Sequence, residues 1–251
     1  MKERIAMRFL LLILAGVTSF ALCLCGCRNA PGRPGPGDSP VVPGEVSDFS
    51  TLFGQNCAGC HGAEGRGGAA IALANPVYLA ISDDAVLHRA TASGIPGTSM
   101  PAFAQSAGGM LTDKQIDVIV GGIRERWSKT DLFQGADRPP YSPSVPGDST
   151  RGSKVYSIYC SSCHGDRGRG GQKASSIVEG SFLALVNDQE LRTIVITGRP
   201  ELGAPDWRGN VPGKPMSAQE ISDVVAWLAS QRPKFPGQPF PTTAKWIGEI
   251  R

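Results

Sequence analysis

Cys57-Ala58-Gly59-Cys60-His61-Gly62 and Cys160-Ser161-Ser162-Cys163-His164-Gly165 decide how this chain reads. Each is a C-x-x-C-H, the spacing at which a c-type haem is attached. Two thiols two residues apart can each form a thioether to one of the two vinyl groups on one edge of a haem. The histidine beside the second thiol is then fixed beneath the iron, where a ring nitrogen can bind it. The motifs lie 103 residues apart, from 57 to 160, in a chain with seven cysteines in all. Two other readings use the same residues. A redox dithiol needs no histidine after the second cysteine, and a four-cysteine zinc site built from both halves leaves both histidines without a role.

Around the motifs the two halves repeat each other. Cys57 matches Cys160 at an offset of 103, Leu87 and Gly94 match Leu191 and Gly198 at 104, and Thr112 to Ile116 matches Ser217 to Ile221 at 105. The order of landmarks, with a drift of one residue at each step, argues for duplication of one module. Each half reads as a helix leading into the motif, a loop, a middle helix and a final helix. The middle helices are expected over 83–92 and 188–197, each stopped by a glycine, Gly94 or Gly198. The final helices open on capping boxes, Thr112 with Gln115 and Ser217 with Glu220. Ile116, Ile119 and Ile123, and Ile221, Val224 and Leu228, give these helices an apolar face at helical spacing. No strand pattern competes.

With these features the chain resembles the class I cytochrome c family in a tandem di-haem form, over about residues 48–130 and 150–232. The resemblance implies an all-α protein of two cytochrome c domains, each a small helical bundle around a covalent haem. It implies thioethers to Cys57, Cys60, Cys160 and Cys163, iron ligation by His61 and His164, and two haem c groups as the cofactors. It also implies a methionine as sixth ligand, whose thioether favours ferrous iron. Gly97-Thr98-Ser99-Met100-Pro101-Ala102-Phe103 resembles the family's ligand loop and nominates Met100 for the first iron. At the offset of 104 the second half carries Ala204-Pro205-Asp206-Trp207, with alanine in the ligand place. Met216 is the methionine left there. Two readings of it stand open: a ligand to the second iron, or a hydrophobic staple on Ile221 ahead of the cap at Ser217, as Leu111 packs on Ile116 around Thr112. His88, the histidine outside the motifs, reads as a surface residue. Arg66, Arg167 and Arg169 read as loop charges or as partners of haem propionates.

The composition agrees. Gly 32 and Pro 20 exceed a fifth of the 251 residues and aromatics are 7%, a lean core for two domains of about eighty residues, which a buried haem would fill. Residues 1–26 read as a signal peptide, with Lys2, Arg4 and Arg8 ahead of an apolar run from Phe9 to Leu24. Leu24-Cys25-Gly26-Cys27 resembles a bacterial lipobox, with Cys27 the lipidated residue. An uncleaved helical anchor is the alternative, and either places the rest of the chain outside the cytoplasm. Residues 27–47 read as a Pro/Gly-rich tether, 48–128 as the first domain, 129–149 as a Pro-rich linker, 150–232 as the second domain and 233–251 as a Pro-rich tail. Removing residues 1–26 reduces 25 basic and 22 acidic residues to 22 and 21, a balance that gives no case for nucleic acid. The expected protein is a periplasmic, membrane-tethered lipoprotein that passes electrons between membrane redox complexes or other cytochromes, in a respiratory or photosynthetic chain. A di-haem enzyme or a gas sensor with an open second haem is the alternative.

Overall fold

A computed structural model of the chain describes residues 41–133 and 137–233. The signal peptide, Cys27, most of the tether and nearly all of the tail lie outside the described residues. Within them the chain is helical, with two isolated bridges, Ala104 with Leu111 and Arg199 with Ala204, and no strand.

The first half runs α1 (Phe49–Asn56), α2 (Ala58–His61), α3 (Pro76–Ile81), α4 (Asp84–Ser93) and α5 (Asp113–Trp127). The second runs α6 (Ser149–Tyr159), α7 (Ser161–His164), α8 (Gly180–Leu185), α9 (Asp188–Thr197) and α10 (Ala218–Ser230). The caps set these limits. Asp48 and Asp148 accept from the third residue onward to start α1 and α6, and both predicted capping boxes form at α5 and α10. The middle helices α4 and α9 stop at Gly94 and Gly198, both at positive φ. Asp83 is the cap of α4 rather than its first residue, because its side chain accepts from the Val86 amide.

The short helices α3 and α8 lie in what the sequence reads as loop. Asn75 caps α3 with Pro76 as the first helical residue, and Glu179 caps α8. At six residues each they fall below the length at which apolar periodicity is visible.

In each half the first and last helices cross, α1 on α5 and α6 on α10. The crossings are made by a large residue against a glycine, and the two halves assign them to opposite helices. A Cβ on Gly122 of α5 would run into the ring of Phe49 on α1. A Cβ on Gly152 of α6 would run into the Asp223 carbonyl and the Trp227 side chain on α10. Phe49 and Gly152 correspond at the offset of 103, and Gly122 and Trp227 at 105, so volume is exchanged across the crossing and its sum is kept.

Two cores result. Phe49, Leu52, Phe53, Leu87, Ile116, Ile119 and Ile123 centre the first; Tyr156, Leu183, Leu191, Ile196, Ile221, Val224 and Leu228 centre the second. The halves also pack on each other. Val77 of α3 is buried in the second core, with Ile81 against it. Asn75 Nδ2 donates to the Thr197 carbonyl at 3.1 Å, Asn187 Nδ2 to Pro96 at 2.8 Å and Arg199 Nη2 to Gly68 at 3.1 Å. The segment between α5 and α6 lies along this seam: Phe133 packs edge-on to Trp207, Tyr141 packs on the first core, and Arg138 donates to the Ala80 carbonyl.

Candidate functional site

Each C-x-x-C-H forms a single helical turn, α2 or α7, directly after the first helix. Cys57 ends α1 and begins α2, and the Cys60 and His61 amides donate back to its carbonyl at 3.2 and 3.0 Å. Cys160 does the same for Cys163 and His164 at 3.2 and 3.0 Å. One turn places the two thiols of a motif on the same side, with the histidine just past them. Gly62 and Gly165, both at positive φ, then reverse the chain. The loop returns over the motif, where the Ala70 amide donates to the Cys60 carbonyl and Gly170 to that of His164.

The loop also fixes the histidine rings. His61 Nδ1 lies 2.8 Å from the Ile71 carbonyl, and His164 Nδ1 lies 2.9 Å from that of Ser175. A carbonyl can only accept, so Nδ1 carries the hydrogen and Nε2 is left with a lone pair, the tautomer a metal-binding histidine needs. Burial depresses the pKa of His61, against a smaller opposing effect of the Ile71 carbonyl, which favours the neutral ring.

The cysteines pair by exposure. Cys57 is buried and Cys160 partly so, while Cys60 and Cys163 are exposed, and all four are free thiols. Burial, with the second cysteine beside it, pushes Cys57 up to about 11 and Cys160 up to about 12. A redox dithiol requires the opposite shift. Among the described residues no group of three or more His, Cys, Asp or Glu side chains is placed to hold a metal ion, so the two halves do not bring their cysteines together for zinc. Paired free thiols on one turn and a histidine held in the Nε2-donor tautomer fit covalent haem in both halves.

The loops ahead of the final helices follow one backbone plan. In the first half the Ile95 amide donates to Met100 O, Phe103 to Thr91 O and Leu111 to Phe103 O. In the second, Arg199 donates to Ala204 O, Trp207 to Ile196 O and Met216 to Trp207 O. Met100 therefore corresponds to Ala204, and Met216 to Leu111. Met100 is half-buried, its amide held by Thr98 Oγ1 at 3.1 Å. Met216 is buried in the second core, with Asn210 Nδ2 at 3.9 Å from its sulfur.

His88 faces Asp117 at 3.4 Å on the surface of the first half. Arg66, Arg167 and Arg169 are exposed, and Arg167 lies 3.8 Å from Asp166. Sequence reasoning missed Arg192. It is 2% exposed, pairs with no carboxylate among the described residues, and donates to the carbonyls of Pro140 and Tyr141 and to Ser222 Oγ. It ties the segment between the domains to α9. Its contacts lie 30 to 52 residues away, so no local pattern announces them.

Two helical domains, each with a C-x-x-C-H turn after its first helix, define a di-haem class I c-type cytochrome, with one covalent haem c to each domain. The family described as cytochrome c oxidase, cbb3-type, subunit III matches twice, over residues 44–121 and 147–228, and the chain belongs to it. The cytochrome bc1 complex cytochrome c subunit of Mycobacterium bovis is 24% identical over 178 residues, 70% of this chain and 60% of that protein. The cbb3-type cytochrome c oxidase subunit CcoP of an Azospirillum strain is 32% identical over 131 residues, 48% of this chain and 39% of the relative. The chain thus spans 60% or less of the length of these curated relatives. Among solved structures, the Kuenenia stuttgartiensis reducing HAO-like protein complex gives a TM-score of 0.44 at 17% identity, covering 78% of this chain and 100% of that one. That likeness is too weak to carry an argument.

Proposed function

We propose that this protein is an electron carrier rather than an enzyme, passing electrons between membrane redox complexes. The observation that carries this reading is the pair of histidines, each with Nδ1 on a loop carbonyl and Nε2 left as the donor. A bound haem supplies the one-electron chemistry, and the chain's residues hold and tune it. Cys57 and Cys60 attach the first haem and Cys160 and Cys163 the second. His61 and His164 are the nitrogen ligands, and Met100 is the sulfur ligand of the first iron. The carbonyls of Ile71 and Ser175 fix the imidazole planes and raise the basicity of Nε2.

Relatives named as subunits of a bc1 complex and of a cbb3 oxidase support a place beside such complexes. We place the domains outside the cytoplasm, tethered by lipid on Cys27, with residues 1–26 removed. No described helix is long and apolar enough to cross a membrane. Mass spectrometry of the denatured protein, produced with a haem-attachment system, tests the core of the proposal. Two haem additions are expected; one or none would overturn it. Cys27→Ser is expected to leave the precursor unlipidated, and an unmodified wild-type Cys27 would remove the tether.

A further inference from the structure

We infer that the second iron has no sulfur ligand from the protein and takes a small exogenous ligand, of the carbon monoxide class, on the side faced by the Ala204 loop. This rests on the proposed attachment of two haems and on Met100 as the sixth ligand of the first.

The position of Ala204 is fixed by more than alignment. Arg199 and Ala204 exchange both backbone hydrogen bonds, each 3.0 Å, and the Leu202 and Gly203 amides donate to Arg199 and Pro200 within the same turn. A Cβ on Gly198 would strike the carbonyls of Ala204 and Pro205, as one on Gly94 would strike that of Met100 and the backbone of Pro101 and Ala102. Both loops therefore pass their middle-helix glycine at the same close approach. The residue that presents a thioether in the first loop presents a methyl group in the second.

The loop is also anchored. The Arg199 guanidinium pairs with Glu201, both side chains largely buried, and its Nη2 reaches the Gly68 carbonyl in the first domain. That ion pair has no counterpart in the first half, where Ile95 and Gly97 stand at the same places. A tight turn held at both ends does not slide to bring another donor to the alanine's place.

Met216 is committed elsewhere. Its amide is bound to the Trp207 carbonyl, as Leu111 is to Phe103, and its side chain is 3% exposed within the second core. Leu111, 5% exposed, fills the same seat in the first domain, and leucine has no donor atom. The seat is thus a packing position ahead of the final helix. The sulfur has a neighbour of its own in Asn210 Nδ2. Lys214, the nearby amine, is exposed and sits over the Tyr159 ring at 5.4 Å.

Carbon monoxide titration of the reduced full-length holoprotein tests the inference. A haem count on the denatured protein comes first: fewer than two haems overturns the proposed function and this inference with it, whereas the outcomes below, read with two haems present, bear on this inference alone. With two haems present, the wild type is expected to take one carbon monoxide per chain. Met216→Leu should leave that uptake unchanged. Ala204→Met should cut it at least tenfold and add a second sulfur-to-iron charge-transfer band in the oxidised protein. Both haems low-spin and no uptake by the wild type would overturn the inference, as would uptake gained only on Met216→Leu. Uptake undiminished in an Ala204→Met protein that retains two haems and native helicity would overturn it too.

Discussion

Met100 and Asp223 show how much single side chains carry. For Met100, half-buried in its loop, the expectation is direct: Met100→Ala should abolish the charge-transfer band of the first haem and lower its potential, since a thioether favours the ferrous state. Electrochemistry and near-infrared absorption measure both, and an unchanged band would exclude Met100 as the ligand. Asp223 is nearly inaccessible on α10. It accepts from Arg151 through Nε and Nη2, both at 2.8 Å, and from the Asp148 amide at 2.8 Å. The Arg151 hydrogen bonds, ahead of the opposing effect of burial, hold its carboxyl below the ordinary range. A depressed folded-state pKa means the contribution is complete above the unfolded value of about 3.9 and fades as pH falls through it toward the folded value. Asp223→Asn should cost about 1–2 kcal/mol at neutral pH, screened because Arg151 is half in solvent. It should also flatten the acid side of the stability curve, as denaturant titrations from pH 6 to pH 2 would show. At this scale the sequence was legible where chemistry demands a fixed spacing, as in C-x-x-C-H. Arg192 was illegible because carbonyls some fifty residues away satisfy it.

Each final helix was legible from its capping box and apolar stripe; the helix crossings were not. Nothing marks Gly122 and Gly152 as contact points until the partner helix is known, since a glycine in a helix usually only weakens it. Gly121, one residue from Gly122, faces open space. Gly121 and Gly152 therefore predict opposite signs. Gly121→Ala should stabilise by about 0.5–1 kcal/mol through helix propensity. Gly152→Ala should destabilise by about 2 kcal/mol or more, because its Cβ meets the Asp223 carbonyl and the stem of Trp227 rather than a flexible side-chain end. Thermal unfolding of the two variants beside the wild type measures the difference. Equal effects at both sites would show that the α6–α10 crossing is looser than drawn. Helices α3 and α8 mark the other limit of sequence reading, because one and a half turns hold too few residues to display a period.

For the whole molecule, duplication was legible in the offsets, while the seam between the copies was not. Its contacts join residues with no counterpart relation: Asn75 to Thr197, Asn187 to Pro96, Arg199 to Gly68. With Val77 seated in the second core, the halves are expected to unfold in one calorimetric transition. Val77→Ala should cost about 1–3 kcal/mol and loosen that coupling. Two resolved transitions in the wild type would show that the halves fold independently. Val77 also bears on how the protein is made. A chain is synthesised from its N-terminus, and the second core in which Val77 is buried is made mostly of residues between Val155 and Leu228. Until that core has formed, Val77 lacks most of the residues among which it is buried in the folded chain. Biogenesis acquires an order: the seam around Val77 can close only after the last helix, which supplies Leu228 to that core, has been made.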